Sequence, residues 1–451
     1  MRRRTYGSTQ RLAIAVGVIS LLAAACGDSD SDSDSSEPDQ PAPAEPETPD
    51  PTTPEPETPD PTTPETPDTV AEVETTDAPE APVQEGPIKI GVLNPTSGNF
   101  TVFGEQSNAG IELYFEGIEN TVSGREVELV FADTAGDPQQ ALEQARRLVD
   151  SEGVDAMIGL VNSAAALAIA DFADQNEVPL IIAVGSAAGI TLPENASDWV
   201  SRVSVASGQE EAPLGWYAST QLGCASAATM AWDFVSGNER AAAFGETFTA
   251  AGGEIGSEQR PPPNATEYGP FIAALDPGST DCMYTFVVGP GSVAFFQQME
   301  DFGVAGEIVP VGSGFVTAGI LDTLGTTALG LVQSGQYTPS FDSASNAAFI
   351  ADYSEKTGNE AGVYSSQGFL AAEAIALAIE ALGGDTTDLS VVASSVRSLS
   401  FESHAGPIAF DENGQAIRDL YITRVVESGD GVVQEVIDTI EDVGQTWTAP
   451  G

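Results

Sequence analysis

Few residues in this 451-residue chain are equipped for chemistry. It has one histidine, His404, and three cysteines, Cys26, Cys224 and Cys282. A lone histidine cannot build a multi-histidine metal centre, and no Ser-His-Asp set is legible around it. The segment Ser403-His404-Ala405-Gly406 reads as a surface loop. There is no Gly-x-Ser-x-Gly elbow and no glycine-rich loop ending Gly-Lys-Ser/Thr. No metal, no cofactor and no catalytic residue is therefore expected. What remains is hydroxyl chemistry at helix starts. Ser163 precedes a helix expected over 164–176, where a serine caps the helix and unpaired N–H groups favour an anion.

Charge narrows the field further. Lys and Arg number 15 against 68 Asp and Glu, a formal net charge of −53. Nucleic acid is excluded as a main partner, since phosphate binding needs a basic face. Docking on anionic lipid headgroups is disfavoured for the same reason.

Three segments follow in order. Arg2, Arg3, Arg4 and Arg11 precede an apolar run over 12–25 that is too short to span a bilayer comfortably and fits a signal segment. It ends Leu22-Ala23-Ala24-Ala25-Cys26-Gly27, which resembles a bacterial lipobox and makes Cys26 the expected lipidation site. Residues 27–86 form an acidic tether with an imperfect Glu-Thr-Pro-Asp-Pro-Thr-Thr-Pro repeat and no Lys or Arg. Such a stretch buries too little apolar surface to fold. Proline and like charge keep it extended, and at ~3 Å per residue its reach exceeds ~100 Å.

From Pro87 the texture becomes that of an α/β protein. Apolar strand-like runs at 88–93, 126–131, 156–160 and 180–184 alternate with helical periodicity at 106–119, 137–151 and 164–176. The alternation restarts with strands at 225–231, 253–257, 282–288 and 308–311, and helices at 237–251, 268–275 and 291–302. A long helix follows at 367–382, and strands at 408–410 and 420–426 flank the turn Asp411-Glu412-Asn413-Gly414. This pattern implies two doubly wound parallel-sheet lobes, with ligand-facing loops at the carboxyl ends of the strands. A cleft between them is the default site for a small ligand.

The order of short motifs resembles the type I periplasmic solute-binding proteins, in the branched-chain amino acid (leucine) binding branch of ABC importers. They are Ile88-Lys89-Ile90-Gly91-Val92 with Ser97-Gly98, Phe131-Ala132-Asp133-Thr134 before Asp137-Pro138-Gln139-Gln140-Ala141, and Ile158-Gly159 before Ser163. Glu177-Val178-Pro179-Leu180-Ile181, Gly312-Ser313-Gly314-Phe315 and Phe410-Asp411-Glu412-Asn413-Gly414 complete the set. The resemblance implies lobe I over 87–205 plus 336–406 and lobe II over 206–335 plus 407–448. A hinge of several crossings would join the two. It also implies a small-molecule solute, ABC permease partners and an extracytoplasmic, lipid-anchored location.

The same resemblance implies ligand contacts from Ser163 and Ala164 after one strand, and from Val184 and Ser186 after the next. Phe103, Phe234, Asp233 and Tyr364 join them. Pro290 stands where the family often has an aromatic residue. Ser313 stands where amino-acid binders place a carboxylate for the ligand ammonium. A buried ammonium without a counter-charge is costly. Either Asp233 substitutes for that carboxylate, or the solute lacks an α-amine.

Cys224 and Cys282 each begin a lobe II strand, the first and third in order, and these are neighbours in a doubly wound sheet. With Cys26 taken by lipid in an oxidising compartment, a Cys224–Cys282 disulfide is expected, against the alternative of two buried thiols. The leading reading is a non-enzymatic solute-binding lipoprotein of an ABC importer that takes a small amino acid or a related carboxylate or amide. A ligand-sensing subunit of the same fold and an extracytoplasmic hydrolase are the alternatives.

Overall fold

The computed structural model describes residue 84 and residues 86–263, 265–429 and 431–450. The signal segment, Cys26 and nearly all of the tether lie outside the described residues.

The first sheet holds β1 (Ile88–Asn94), β2 (Thr121–Val122), β3 (Arg125–Asp133), β4 (Ala156–Gly159), β5 (Leu180–Ile182) and β6 (Val200–Arg202). Their spatial order is β2-β3-β1-β4-β5-β6, all parallel except the β2 edge. β1 is almost wholly buried, as a central strand covered on both faces must be. The covering helices are α1 (Thr101–Gly117), α2 (Pro138–Arg146) and α3 (Ser163–Asn176). The first turn of α2 is fixed by Pro138 at N1 and by Asp137 Oδ1, which accepts from the Gln139 and Gln140 amides.

The second sheet holds β7 (Ser226–Ala231), β8 (Glu254–Gln259), β9 (Cys282–Phe286), β10 (Val309–Ser313), β11 (Val332–Gly335), β12 (Ser400–Ser403), β13 (Gly406–Phe410), β14 (Ala416–Ser428) and β15 (Gly431–Val443). The order is β12-β13-β14-β11-β10-β9-β7-β8, with β15 also on β14. Strands β7 to β11 pair in parallel, whereas β12 to β15 are antiparallel because short turns connect them. The sequence reading assigns no element to β15, whose alternating acids resemble a solvated tail. The helices are α4 (Glu211–Thr220), α5 (Val235–Ala250), α6 (Gly269–Ile272), α7 (Pro290–Asp301) and α8 (Leu321–Leu324). α6 is shorter than the expected 268–275 helix, because Pro270 suits only a first turn and Pro277 blocks continuation.

Helices α9 (Ala344–Thr357), α10 (Val363–Ala381) and α11 (Leu389–Arg397) return to the first lobe, where α10 packs along α1. The two helices approach closely at two glycines. A Cβ at Gly110 would overlap the Ser365 carbonyl oxygen, and one at Gly368 would overlap that of Ser107. The chain crosses between the sheets near residues 203–210, 336–343 and 398–399. β12 pairs within the second sheet, so a division at residue 406 falls inside a hairpin of that sheet.

Buried arginines stitch the crossings together. Arg202 Nε donates to Gln415 Oε1 at 2.6 Å and its Nη1 to the Ala187 carbonyl at 2.7 Å. Arg418 Nη1 donates to the Val203 carbonyl and to Gln367 Oε1, both at 3.1 Å. Cys224 and Cys282 are joined by a disulfide at the amino ends of β7 and β9, with a Cα–Cα distance of 5.9 Å.

His404 is not a surface residue, contrary to the loop reading of its tetrapeptide. It is buried, stacked on Phe349 at 4.1 Å, with Nε2 2.8 Å from Ser366 Oγ. Burial, helped by nearby Arg418, pushes the imidazole down to about 3, so it is neutral at physiological pH.

Candidate functional site

In the first sheet the strand order reverses between β1 and β4, and in the second between β7 and β9. Ligands bind outside the carboxyl ends of strands at such switch points. The loops and first helical turns there carry Phe100 and Phe103 after β1, Ser163 after β4, Phe234 and Ser236 after β7, and Val288 after β9. All six line one cavity between the lobes.

Six rings form a closed collar around it. Phe103 stacks on Tyr364 at 4.6 Å, and Tyr364 lies 5.3 Å from Phe315. Phe315 contacts Phe286 at 6.3 Å, and Phe286 stacks on Phe234 at 6.1 Å. Phe234 reaches Phe100, and Phe100 returns to Phe103, each at 6.3 Å. The rings come from both lobes and leave a cavity of about 30 Å³, which has room for about two waters.

Polar groups converge on one side of the collar. Ser163 Oγ accepts from the Ser186 amide at 3.2 Å. Ser186 Oγ lies 2.8 Å from Ser236 Oγ, and Ser207 Oγ reaches Ser236 Oγ at 3.1 Å. Arg240, one turn into α5, donates from Nε to Ser236 Oγ at 3.0 Å. Its Nη1 pairs with Glu210 Oε2 at 2.9 Å and Glu211 Oε1 at 2.6 Å, all three side chains being 0% exposed. The guanidinium lies over the Phe286 and Phe315 rings, 4.8 and 5.0 Å from their centroids. Its Nη2 has no hydrogen-bond partner among the described residues. Arg240 thus brings two unused donors to an aromatic cavity.

Both carboxylates are held in place behind it. Glu210 Oε1 accepts from the Gln336 amide, and Glu211 accepts from Tyr284 Oη and the Gly208 amide. Burial pushes the Glu210 carboxyl up to about 7 despite Arg240, and the neighbouring Glu211 charge adds to the rise.

Of the residues named from sequence, Ser163, Val184, Ser186, Phe103, Phe234 and Tyr364 stand in the cavity wall. Ala164 does not, because Asn162 is the cap of α3 and its Oδ1 takes the Ala164 and Ala165 amides at 3.0 Å. Asp233 is exposed and accepts from Asn238 Nδ2, and Pro290 is the exposed first residue of α7. Ser313 is buried but spent on the Phe315 amide. Trp232 lies in the core and donates to Tyr268 Oη. Sequence reasoning missed Ser236, Arg240, Phe286 and Phe315. A cation four residues after a helix-start serine was the available signal for Arg240.

Residues 87–430 match the profile of the periplasmic binding protein family. The "Leu/Ile/Val-binding protein homolog 6" of Brucella melitensis is 28% identical over 365 residues, covering 79% of this chain and 92% of that one. An ABC transporter substrate-binding protein from Sphaerobacter thermophilus is 30% identical, with a TM-score of 0.76 over 80% of this chain and 99% of that one. An ABC transporter solute-binding protein from Rhodopseudomonas palustris BisB5, solved with 3,4-dihydroxybenzoic acid, is 28% identical with the same TM-score and the same coverage. The two switch-point sheets, the cleft between them and these matches make the chain a type I periplasmic binding protein of the branched-chain amino acid family, a solute-binding component of the ABC transporter class.

Proposed function

We propose that this protein is the extracytoplasmic solute-binding lipoprotein of an ABC importer, anchored through Cys26, and that its solute is an aromatic carboxylate. The observation that carries the ligand class is Arg240 Nη2, buried without a partner on a residue that lines the cavity together with Phe100, Phe103, Phe234, Phe286, Phe315 and Tyr364. A carboxylate oxygen is the natural acceptor for a buried guanidinium N–H that has no partner. Flat aromatic walls favour a flat apolar body. The lack of any carboxylate in the cavity wall among the described residues supports a solute without an α-ammonium. The dihydroxybenzoate in the Rhodopseudomonas relative points the same way.

The Brucella relative's name supports a second reading, a branched-chain amino acid. Calorimetry and thermal shift on the full chain with benzoate, 3,4-dihydroxybenzoate, benzamide and leucine separate the two. A ligand at 100 times its Kd adds ~2.7 kcal/mol of stability. Binding of the benzoates with leucine inert is the expected result. Leucine binding with the benzoates inert overturns the ligand class but leaves the binding role intact.

A further inference from the structure

We propose that a second cavity, where α1, α9, α10 and β12 meet, is a binding site for a small organic cation with an aryl or alkyl body. It measures about 540 Å³, far more than the cleft, and lies beside the later turns of α1 and α10, away from the collar. Tyr114, Phe349 and Phe369 wall it together with the His404 ring. Phe369 stands edge-on to both Tyr114 and His404, at 5.1 and 5.0 Å.

Two buried polar atoms in this wall lack partners among the described residues. One is Glu373 Oε2, one turn after Phe369 on α10, and the other is His404 Nδ1. His404 is only 4% exposed, and its other nitrogen is already taken by Ser366. An orphaned buried carboxylate oxygen is a strong demand for a donor. Burial pushes the Glu373 carboxyl up to about 7, as expected of a carboxyl with no cation beside it.

The surrounding field has the same sign. Glu116, Asp352 and Glu402 line the cavity, and no Lys or Arg does among the described residues. The nearby Lys356 is held at 2.7 Å by Glu116 and at 3.3 Å by Glu112. An ammonium against Glu373 meets a counter-charge, and its body meets aromatic faces that attract cations. The chain's own tether is a poor occupant, because residues 27–86 carry acids and no Lys or Arg.

The test is calorimetry on the full chain with benzylammonium, and with benzyl alcohol as its uncharged shape match. The proposal expects saturable 1:1 binding of benzylammonium, at least tenfold tighter than benzyl alcohol. It expects Glu373→Gln to reduce that affinity at least tenfold, and Ser163→Ala in the cleft to leave it unchanged. Equal affinity for amine and alcohol in the unmodified protein overturns it and needs no variant. Full retention in Glu373→Gln, or loss in Ser163→Ala, also overturns it.

Discussion

Ser186 Oγ of the first lobe and Ser236 Oγ of the second stand 2.8 Å apart, and Ser236 also accepts from Arg240 Nε. One hydroxyl therefore closes the lobes and orients the cation that faces the cavity. Ser236→Ala should leave Arg240 Nε unpaired in the interior, a loss of about 1–3 kcal/mol. The expected outcome is a lower urea midpoint, a more open molecule by small-angle scattering, and weaker benzoate binding. Unchanged affinity would show that Arg240 is oriented by Glu210 and Glu211 alone.

Arg240→Lys tests the fork itself. Lysine keeps a charge for Glu210 and Glu211 but cannot also serve Ser236 and a ligand with planar N–H pairs. Benzoate affinity should fall by at least tenfold, read by calorimetry. Arg240→Gln strands two buried carboxylates and should destabilise the protein by about 3–5 kcal/mol in urea unfolding.

Benzoate binding should also take up a proton. Glu210 and Glu211 already crowd Arg240, and a third carboxylate raises the repulsion in a low-dielectric site. Glu210, pushed up to about 7, is the group that protonates in response. Its proton is present below pH 7 and lost above it, so affinity should fall by up to tenfold per pH unit above about 7. Calorimetry in buffers of different ionisation enthalpy reads the proton directly, and a flat pH profile would exclude the coupling.

The Cys224–Cys282 bridge encloses a sequence separation of 58 residues. Cys224→Ser/Cys282→Ser should lose about 2–4 kcal/mol in urea unfolding. Because the bridge lies at the amino ends of β7 and β9 and the cavity at their carboxyl ends, benzoate affinity should stay unchanged.

His404 is the only histidine, so its imidazole gives a single histidine signal in NMR. In the folded protein that signal should not titrate between pH 5 and 8, because burial holds the ring down to about 3. The unfolded ring titrates near 6.5, so the neutral-ring stabilisation is complete above ~6.5 and is lost as pH falls toward 3. His404→Gln should flatten that acid limb of the stability curve.

What the sequence made legible followed from position along the chain. Ser163, Ser186, Phe103 and Phe234 lie just beyond strands whose apolar runs are unmistakable, and a strand's carboxyl end is where a ligand-facing loop must be. Phe286 and Phe315 were hidden because apolar residues in or beside a strand read as core. Arg240 was hidden because Asn238-Glu239-Arg240 in a helix reads as a solvated face. Its burial depends on Glu210 and Glu211, which lie some thirty residues earlier at a crossing between the lobes. Asn162 took the capping role that Ser163 seemed to hold, a one-residue shift that periodicity does not resolve.

The glycine contacts between α1 and α10 have a mechanical consequence. Phe103 and Tyr364 bring the collar to the early turns of these helices, whereas Tyr114, Phe369 and Glu373 bring their later turns to the second cavity. From Phe103 to Ile118 is about 22 Å of helix. With Gly110 and Gly368 pressing backbone on backbone at mid-length, and Phe103 against Tyr364 and Tyr114 against Phe369 on either side, the pair should behave as a single stiff rod. A tilt imposed on such a rod is not absorbed along its length, so its collar end and its distant end move together as one body.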